Sequence, residues 1–244
     1  MNNSPEKNRA AETNVGEVLI DARNLSKSYR REEADRKQVV LQDISFTIEK
    51  GSGIAITGPS GSGKTTLLNQ LGSLDRPDEG EIYFQGRDIL QLSGKELDQF
   101  RNTSLGFVFQ QHHLLPQFSL MENVMIPTLP GKSDQDAIHR AEELVRKVGL
   151  WDHRDKYPHE LSGGECQRTA VVRSLINNPE IILADEPTGS LDHENSIQLF
   201  DLLLRFNKEY GVTLVVVTHS NELALKLDKT YSLLNGNLEL IRET

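Results

Sequence analysis

Cysteine is almost absent from this 244-residue chain: Cys166 stands alone, so no internal disulfide can form, and a reducing compartment suits the composition. Long apolar runs are missing too. No stretch approaches the roughly 18 consecutive apolar residues of a membrane-spanning helix, which excludes a chain that crosses a bilayer through such a segment. Positive charge is in deficit, with 27 Lys and Arg against 36 Asp and Glu and a formal net charge of −9. Nucleic-acid backbones are gripped by excess cationic side chains, so this balance argues against a nucleic-acid partner. Residues 1–10, MNNSPEKNRA, lack the apolar centre of a secretory signal. A polar disordered tail is expected over 1–16 and a folded domain over 17–244, in the cytoplasm. Hydrophobic residues make up 36%, enough for the core of one large domain or two small subdomains, and no internal repeat is present.

The informative residues are concentrated in short stretches. Residues 58–65, GPSGSGKT, follow the apolar 54–57 (IAIT) and precede the helix-like 65–71 (TTLLNQL). The spacing G-x-x-x-x-G-K-[ST] between a strand and a helix is that of a phosphate-binding loop. Gly58, Gly61 and Gly63 let backbone N–H groups turn inward as an anion nest, reinforced by the positive end of the following helix. Lys64 would reach the β- and γ-phosphates, and the Thr65 hydroxyl would ligate Mg²⁺. Downstream, 161–168 (LSGGECQR) opens a helix that ends before Asn178-Pro179, and 181–186 (IILADE) reads as a buried strand closing on Asp185 and Glu186. Open α/β sheets bind ligands at that carboxyl edge.

Between these stretches the pattern alternates. Residues 18–22 and 45–48 read as antiparallel strands around a charged, exposed loop at 31–37, and 105–109 reads as a strand ending before Gln110. A capping box at Ser133 to Asp136, apolar Ile138, Ala141, Val145 and Val148 at helical spacing, and Gly149 as a stop predict a helix. Strands at 181–184 and 213–217 flank a helical 197–206, and Asn235-Gly236 marks a hairpin.

The ordered set of motifs resembles the ATP-binding cassette (ABC) proteins over nearly all of residues 17–236. The resemblance implies an α/β fold, a P-loop NTPase core of ABC type, with an antiparallel β subdomain and a helical signature subdomain at about 111–178. It implies an ATPase that uses ATP and Mg²⁺. Tyr29 would stack on adenine. Gly58, Pro59, Ser60, Gly61, Ser62, Gly63, Lys64, Thr65 and Thr66 would cradle the phosphates, and Thr65, Gln110 and Asp185 would hold the metal. Glu186 would be the general base, with His219, Gln110 and Lys64 completing the catalytic set. Two copies would pair head to tail, so that Ser162, Gly163 and Gly164, with the helix dipole behind them, cap the γ-phosphate held by the partner's P-loop. Asp192 would belong to the D-loop at the same contact. Cys166 departs from the Gln or basic residue commonly found at its position, while the Ser-Gly-Gly core is intact.

Residues 110–124, QQHHLLPQFSLMENV, look like the LolD ATPases of lipoprotein-releasing systems within a group that also includes MacB-type exporters. That likeness implies a peripheral subunit on the cytoplasmic face of the inner membrane, driving separate transmembrane permease subunits that release lipoproteins. A MacB-like or peptide exporter ATPase would share every catalytic residue, and an FtsE-like cell-division ATPase would act on a membrane regulator without moving cargo. Soluble nucleic-acid ATPases of the superfamily usually carry two cassettes or a long coiled coil, unlike this acidic chain with one P-loop. His112 and His113 are adjacent, so they point apart and suit packing or an interface rather than a metal. Leu114, Leu115, Phe118 and Met121 are expected to form a groove for a short helix of the membrane subunit.

Overall fold

The computed structural model describes residues 16–31, 36–130 and 135–243. Most of the predicted tail, the centre of the charged 31–37 loop and Ser133 of the predicted capping box lie outside the described residues. The chain begins with β1 (Val18–Arg31) and β2 (Arg36–Glu49), paired antiparallel from Val18 opposite Glu49 to Arg31 opposite Arg36. Both strands run well beyond the predicted apolar stretches. Register shifts near Ala22 and Lys27, with Asn24 and Asp43 at positive φ, carry the pairing past polar residues as bulges.

β3 (Gly53–Thr57) leads through the glycine loop into α1 (Lys64–Leu71). Two strands that the periodicity did not reveal, β4 (Glu79–Phe84) and β5 (Arg87–Asp88), complete a four-stranded sheet in the order β2-β1-β4-β5. α2 (Gly94–Ser104) precedes β6 (Leu105–Phe109), and the helical part of the chain follows as α3 (Leu120–Met125), α4 (Gln135–Lys147) and α5 (Gly163–Leu175). The chain then returns through β7 (Ile181–Asp185), α6 (His193–Tyr210), β8 (Thr213–Val217), α7 (Asn221–Ala224), β9 (Lys229–Leu234) and β10 (Asn237–Glu243). Asn235 and Gly236 both take positive φ, as a two-residue hairpin turn requires.

The second sheet has the order β10-β9-β3-β8-β7-β6 and is parallel except for its β9–β10 hairpin. Its central strands are uninterrupted apolar runs because both faces are covered. Ala55, Ile182, Ala184, Leu214 and Val216 pack with Val124, Leu144, Val171 and Phe200 of the helices. The alternate residues Ile54, Ile56, Leu183, Val215 and Val217 pack with Leu67, Leu68 and Leu71 of α1 and with Ile20, Ile48 and Ile82 of the first sheet. One parallel sheet is thereby clamped between the helical layer and the antiparallel sheet. In α4, Ala141 and Val145 are buried as predicted, Val148 is buried just beyond its end, and Gly149 at φ +71 turns the chain away. Ile138 is instead 45% exposed, and Leu144 supplies the buried contact one face over.

The segment after Gln110 is organised by one buried side chain. Asn123 of α3 is fully buried; its amide nitrogen donates to the carbonyls of Leu115, Phe118 and Ser119, and its Oδ1 accepts from Leu115 N–H at 2.7 Å. Of the four residues expected to line a groove, Leu114 is buried, Met121 packs partly against the helical core, and Leu115 and Phe118 stay exposed at 39% and 36%. The loop is held from below and presents Leu115 and Phe118 outward, while Leu114 and Met121 pack inward instead of lining an exposed groove. Asn123→Ala leaves the Leu115 N–H and the Phe118 carbonyl without a partner, while Phe118 N–H and the backbone N–H of residue 123 still reach the Leu115 and Ser119 carbonyls, and is expected to lower stability by about 1–3 kcal/mol, read as a reduced urea midpoint. An unchanged midpoint would show that the loop does not depend on Asn123.

Candidate active site

Every motif residue of the parallel sheet arrives at the same edge. The carboxyl ends of β3, β7 and β8 deliver Gly58, Asp185 and Thr218, and that of β6 delivers Gln110. The glycine loop is shaped for close backbone approach. Gly58 has φ +147, and a Cβ there would fall 2.3 Å from Leu233 O; at Gly63, φ +104, a Cβ would fall 2.9 Å from Val40 O. A side chain at either position would collapse the nest of N–H groups. Ser60, Gly61, Gly63, Lys64, Thr65, Thr66 and Glu186 line a cleft of about 260 Å³ together with Val40.

Lys64, the first residue of α1, is buried and donates to Gly58 O at 3.0 Å and Pro59 O at 2.9 Å. Burial lowers its pKa, opposed by the pull of Glu186 and Asp185. An ammonium so poorly hydrated gains strongly from an anion within reach. Asp185 is the carboxylate best suited to a divalent cation. Burial raises its pKa, the Thr65 hydroxyl bonds to it, and its Oδ1 is buried without a hydrogen-bond partner. Hard oxygen donors from Thr65 and Asp185, one of them orphaned, are the ligand set that Mg²⁺ takes beside a nucleotide, so the residues fit the ion.

Glu186 follows at φ +46, a backbone region costly for a residue with a side chain, and its N–H bonds Val217 O at 2.9 Å. The twist aims its carboxylate at His219: Oε1 lies 2.5 Å from His219 Nε2. Base candidate and histidine are thus in direct contact, joined across β7 and β8. Gln110 packs against Gly189, and its carbonyl accepts from Ser190 Oγ at 3.2 Å, so the loop that precedes Asp192 rests on it. Asp192 caps α6 by accepting from Asn195 N–H at 2.9 Å.

Ser162, Gly163 and Gly164 are not among the residues lining the cleft. Ser162 caps α5, and the positions of Gly163 and Gly164 touch Leu191 and Asn195, next to Asp192. The signature turn and the D-loop therefore form one continuous surface apart from the phosphate nest. Tyr29 stands beside α1, its ring 44% exposed, its hydroxyl bonded to Asp75 at 2.7 Å and to Thr66. Asp75 is in turn held by Lys27 at 3.0 Å, which fixes the ring's edge, and the Lys27 ammonium lies over the ring, 5.3 Å from its centroid. The His pair serves packing: His113 meets Phe109 edge-on at 5.4 Å, and both histidine carbonyls accept from Arg173. No group of three His, Cys, Asp or Glu suited to a metal ion occurs among the described residues.

Two buried polar contacts of α5 went unread in the sequence. Gln167 Nε2 donates to Phe109 O at 2.6 Å and, farther along the same helix, Arg173 grips residues 112 and 113, so the signature helix is bolted to both flanks of Gln110. The available signal was Gln167 standing between Cys166 and the apolar Ala170, Val171 and Val172 on the buried side of the helix.

An ABC transporter family profile matches residues 41–189. The lipoprotein-releasing system ATP-binding protein LolD of Francisella tularensis subsp. holarctica is 45% identical over 230 residues, covering 93% of this chain and 98% of that one. The LolD protein of Syntrophus aciditrophicus is 46% identical over 221 residues, 90% and 98% of the two chains. Among solved structures, a dimeric ATP-binding cassette in a post-hydrolysis state bound to ADP and Pi is 36% identical, with a TM-score of 0.83, covering 93% of this chain and all of that one. No helix among the described residues is long and apolar enough to cross a membrane. The phosphate nest, the acidic pair and these relatives agree: the chain belongs to the ABC transporter family, as an ATP-hydrolysing subunit of the LolD type.

Proposed function

We propose that this ATPase powers the release of lipoproteins from the inner membrane, working on its cytoplasmic face through separate transmembrane subunits. The observation that carries the reading is the similarity to LolD proteins, which runs through nearly their whole length and includes the segment after Gln110. Beside that segment, a cleft of about 240 Å³ lies between the sheet edge and α5, lined by Phe107, Phe109, Pro127 and Arg173 among others. Its mixed walls, apolar at Leu105, Phe107 and Phe109 and polar at Arg101, Asn102 and Arg173, suit the two faces of an amphipathic helix of a membrane subunit, and Leu115 and Phe118 are exposed on the segment after Gln110. Leu115→Asp is expected to keep basal turnover within about twofold, because the side chain is at the surface, and to lose association with the membrane subunits. Loss of thermal stability and turnover together would make Leu115 core instead.

In the proposed reaction Lys64 and the N–H groups of residues 60–66 hold the β- and γ-phosphates, and Tyr29 supports the adenine. Thr65, Asp185 and Gln110 would hold Mg²⁺, which when bound offsets charge on the β- and γ-phosphate oxygens. Glu186 orients a water and accepts its proton as the water oxygen bonds to the γ-phosphorus and the bond to the β-phosphate oxygen breaks, giving ADP and Pi. His219 steadies Glu186 and the γ-phosphate. Ser162, Gly163 and Gly164 of a second copy close the site, a reading supported by their separation from the cleft and by the dimeric relatives. Purifying the tagged ATPase from native membranes tests the assignment: permease subunits of a lipoprotein-releasing system are expected to accompany it. A drug or peptide exporter, or a cell-division regulator, in their place would overturn it.

A further inference from the structure

The turn ahead of α5 carries a histidine that the reaction so far leaves unused. His153 ends a short 3₁₀ turn (Trp151–His153), and its Nδ1 is closed off from solvent, paired with the Glu165 carboxylate at 2.6 Å from Oε1 but not aligned for a straight hydrogen bond. The second oxygen of Glu165 accepts from the backbone N–H and from the hydroxyl of Ser162, at 2.7 Å each. Burial pushes the Glu165 carboxyl up, but the two Ser162 bonds and His153 outweigh it and hold the pKa below the usual range. Glu165 is therefore an anion in contact with the signature serine.

That placement is awkward for the proposed head-to-tail pairing, on which this inference rests. There Ser162 meets the γ-phosphate of the partner's nucleotide, and an adjacent carboxylate both repels the phosphate and occupies the serine proton. The histidine answers both problems. An imidazole nitrogen and a carboxylate oxygen at 2.6 Å must share a proton, since two bare lone pairs would repel. A donated Nδ1–H draws charge towards Oε1 and weakens the hold of Oε2 on Ser162.

We propose that His153 is a positioning residue for ATP hydrolysis: by pairing with Glu165 at close range it screens the carboxylate and frees the Ser162 hydroxyl for the γ-phosphate bound by the partner copy. The turn is built to keep His153 in place. The guanidinium groups of Arg146 and Arg154 stack on the Trp151 ring at 3.5 and 4.6 Å, and the carbonyls of Arg154 and Lys156 accept from Met121 N–H and Leu120 N–H of α3.

The test uses the full chain carrying Glu186→Gln, with ATP-driven dimerisation followed by sedimentation and monomer nucleotide binding followed with a fluorescent ATP analogue. His153→Ala is expected to raise the ATP concentration for half-maximal dimer about tenfold while leaving monomer binding within about twofold, because the monomer's own P-loop does not involve His153. His153→Asn, which keeps a donor close to the Nδ1 position, should recover most of the loss. In a Glu165→Gln background the charge to be screened is gone, so adding His153→Ala should cost little more. Equal loss in both backgrounds, or unchanged dimerisation in the single variant, overturns the role. If the Glu186→Gln chain never dimerises with ATP, the head-to-tail pairing itself fails, and the role of His153 falls with it.

Discussion

Glu186→Gln is expected to slow ATP turnover by at least about a hundredfold while leaving ATP affinity close to that of the parent, the range for a lost general base. The acid and the amide have the same shape, so the backbone held by the Val217 carbonyl and the contact with His219 can both persist. What disappears is the proton acceptor. Binding should survive because Lys64, Thr65 and Asp185 are untouched, and under the proposed head-to-tail pairing, in which hydrolysis opens the shared interface, the variant should accumulate as a dimer in ATP. Phosphate release and filter binding measured side by side decide the matter. Parental turnover would remove Glu186 from the role of base, and a parallel loss of binding would make it a nucleotide ligand.

The second large effect is expected at Lys64. Its ammonium is nearly buried and already satisfies two loop carbonyls, so Lys64→Ala removes the only cation lining the cleft among the described residues. Charge-assisted bonds contribute about 1.5–3 kcal/mol each, and losing two to a phosphate weakens ATP binding by at least about a hundredfold. The fold should tolerate the change, because deleting a buried ammonium also removes its desolvation cost. Loss of Mg-ATP binding with an unchanged melting temperature is the expected pattern. Normal binding and hydrolysis would overturn the assignment of 58–65 as the phosphate loop.

The sequence disclosed most where local chemistry and structure coincide. The apolar runs at 54–57, 105–109, 181–184 and 213–217 became the parallel strands of the second sheet because strands covered on both faces have no polar alternation to confuse their ends. Gly58, Gly63 and Gly149 were legible because each fills a backbone demand that few other residues meet. The first sheet was harder: bulges at Ala22 and Lys27 break the period-two pattern of β1, and β5 is only two residues long. Ile138 shows the same limit on a helix, where spacing marked a face but not its edge. The contacts that arrange the site were hidden because they join residues distant in sequence. Tyr29 meets Asp75, Gln167 meets Phe109, and Glu186 meets His219 only after the sheet has assembled.

Transfer of a lipid-anchored protein tests the central claim most directly. The ATPase, co-purified with its membrane partners and placed in vesicles carrying a lipoprotein, should release that lipoprotein to a soluble lipoprotein-binding carrier when ATP is added. Glu186→Gln should reduce release to background while the complex stays assembled. An assembled complex that hydrolyses ATP at the parental rate and leaves every tested lipoprotein in the membrane would contradict the account.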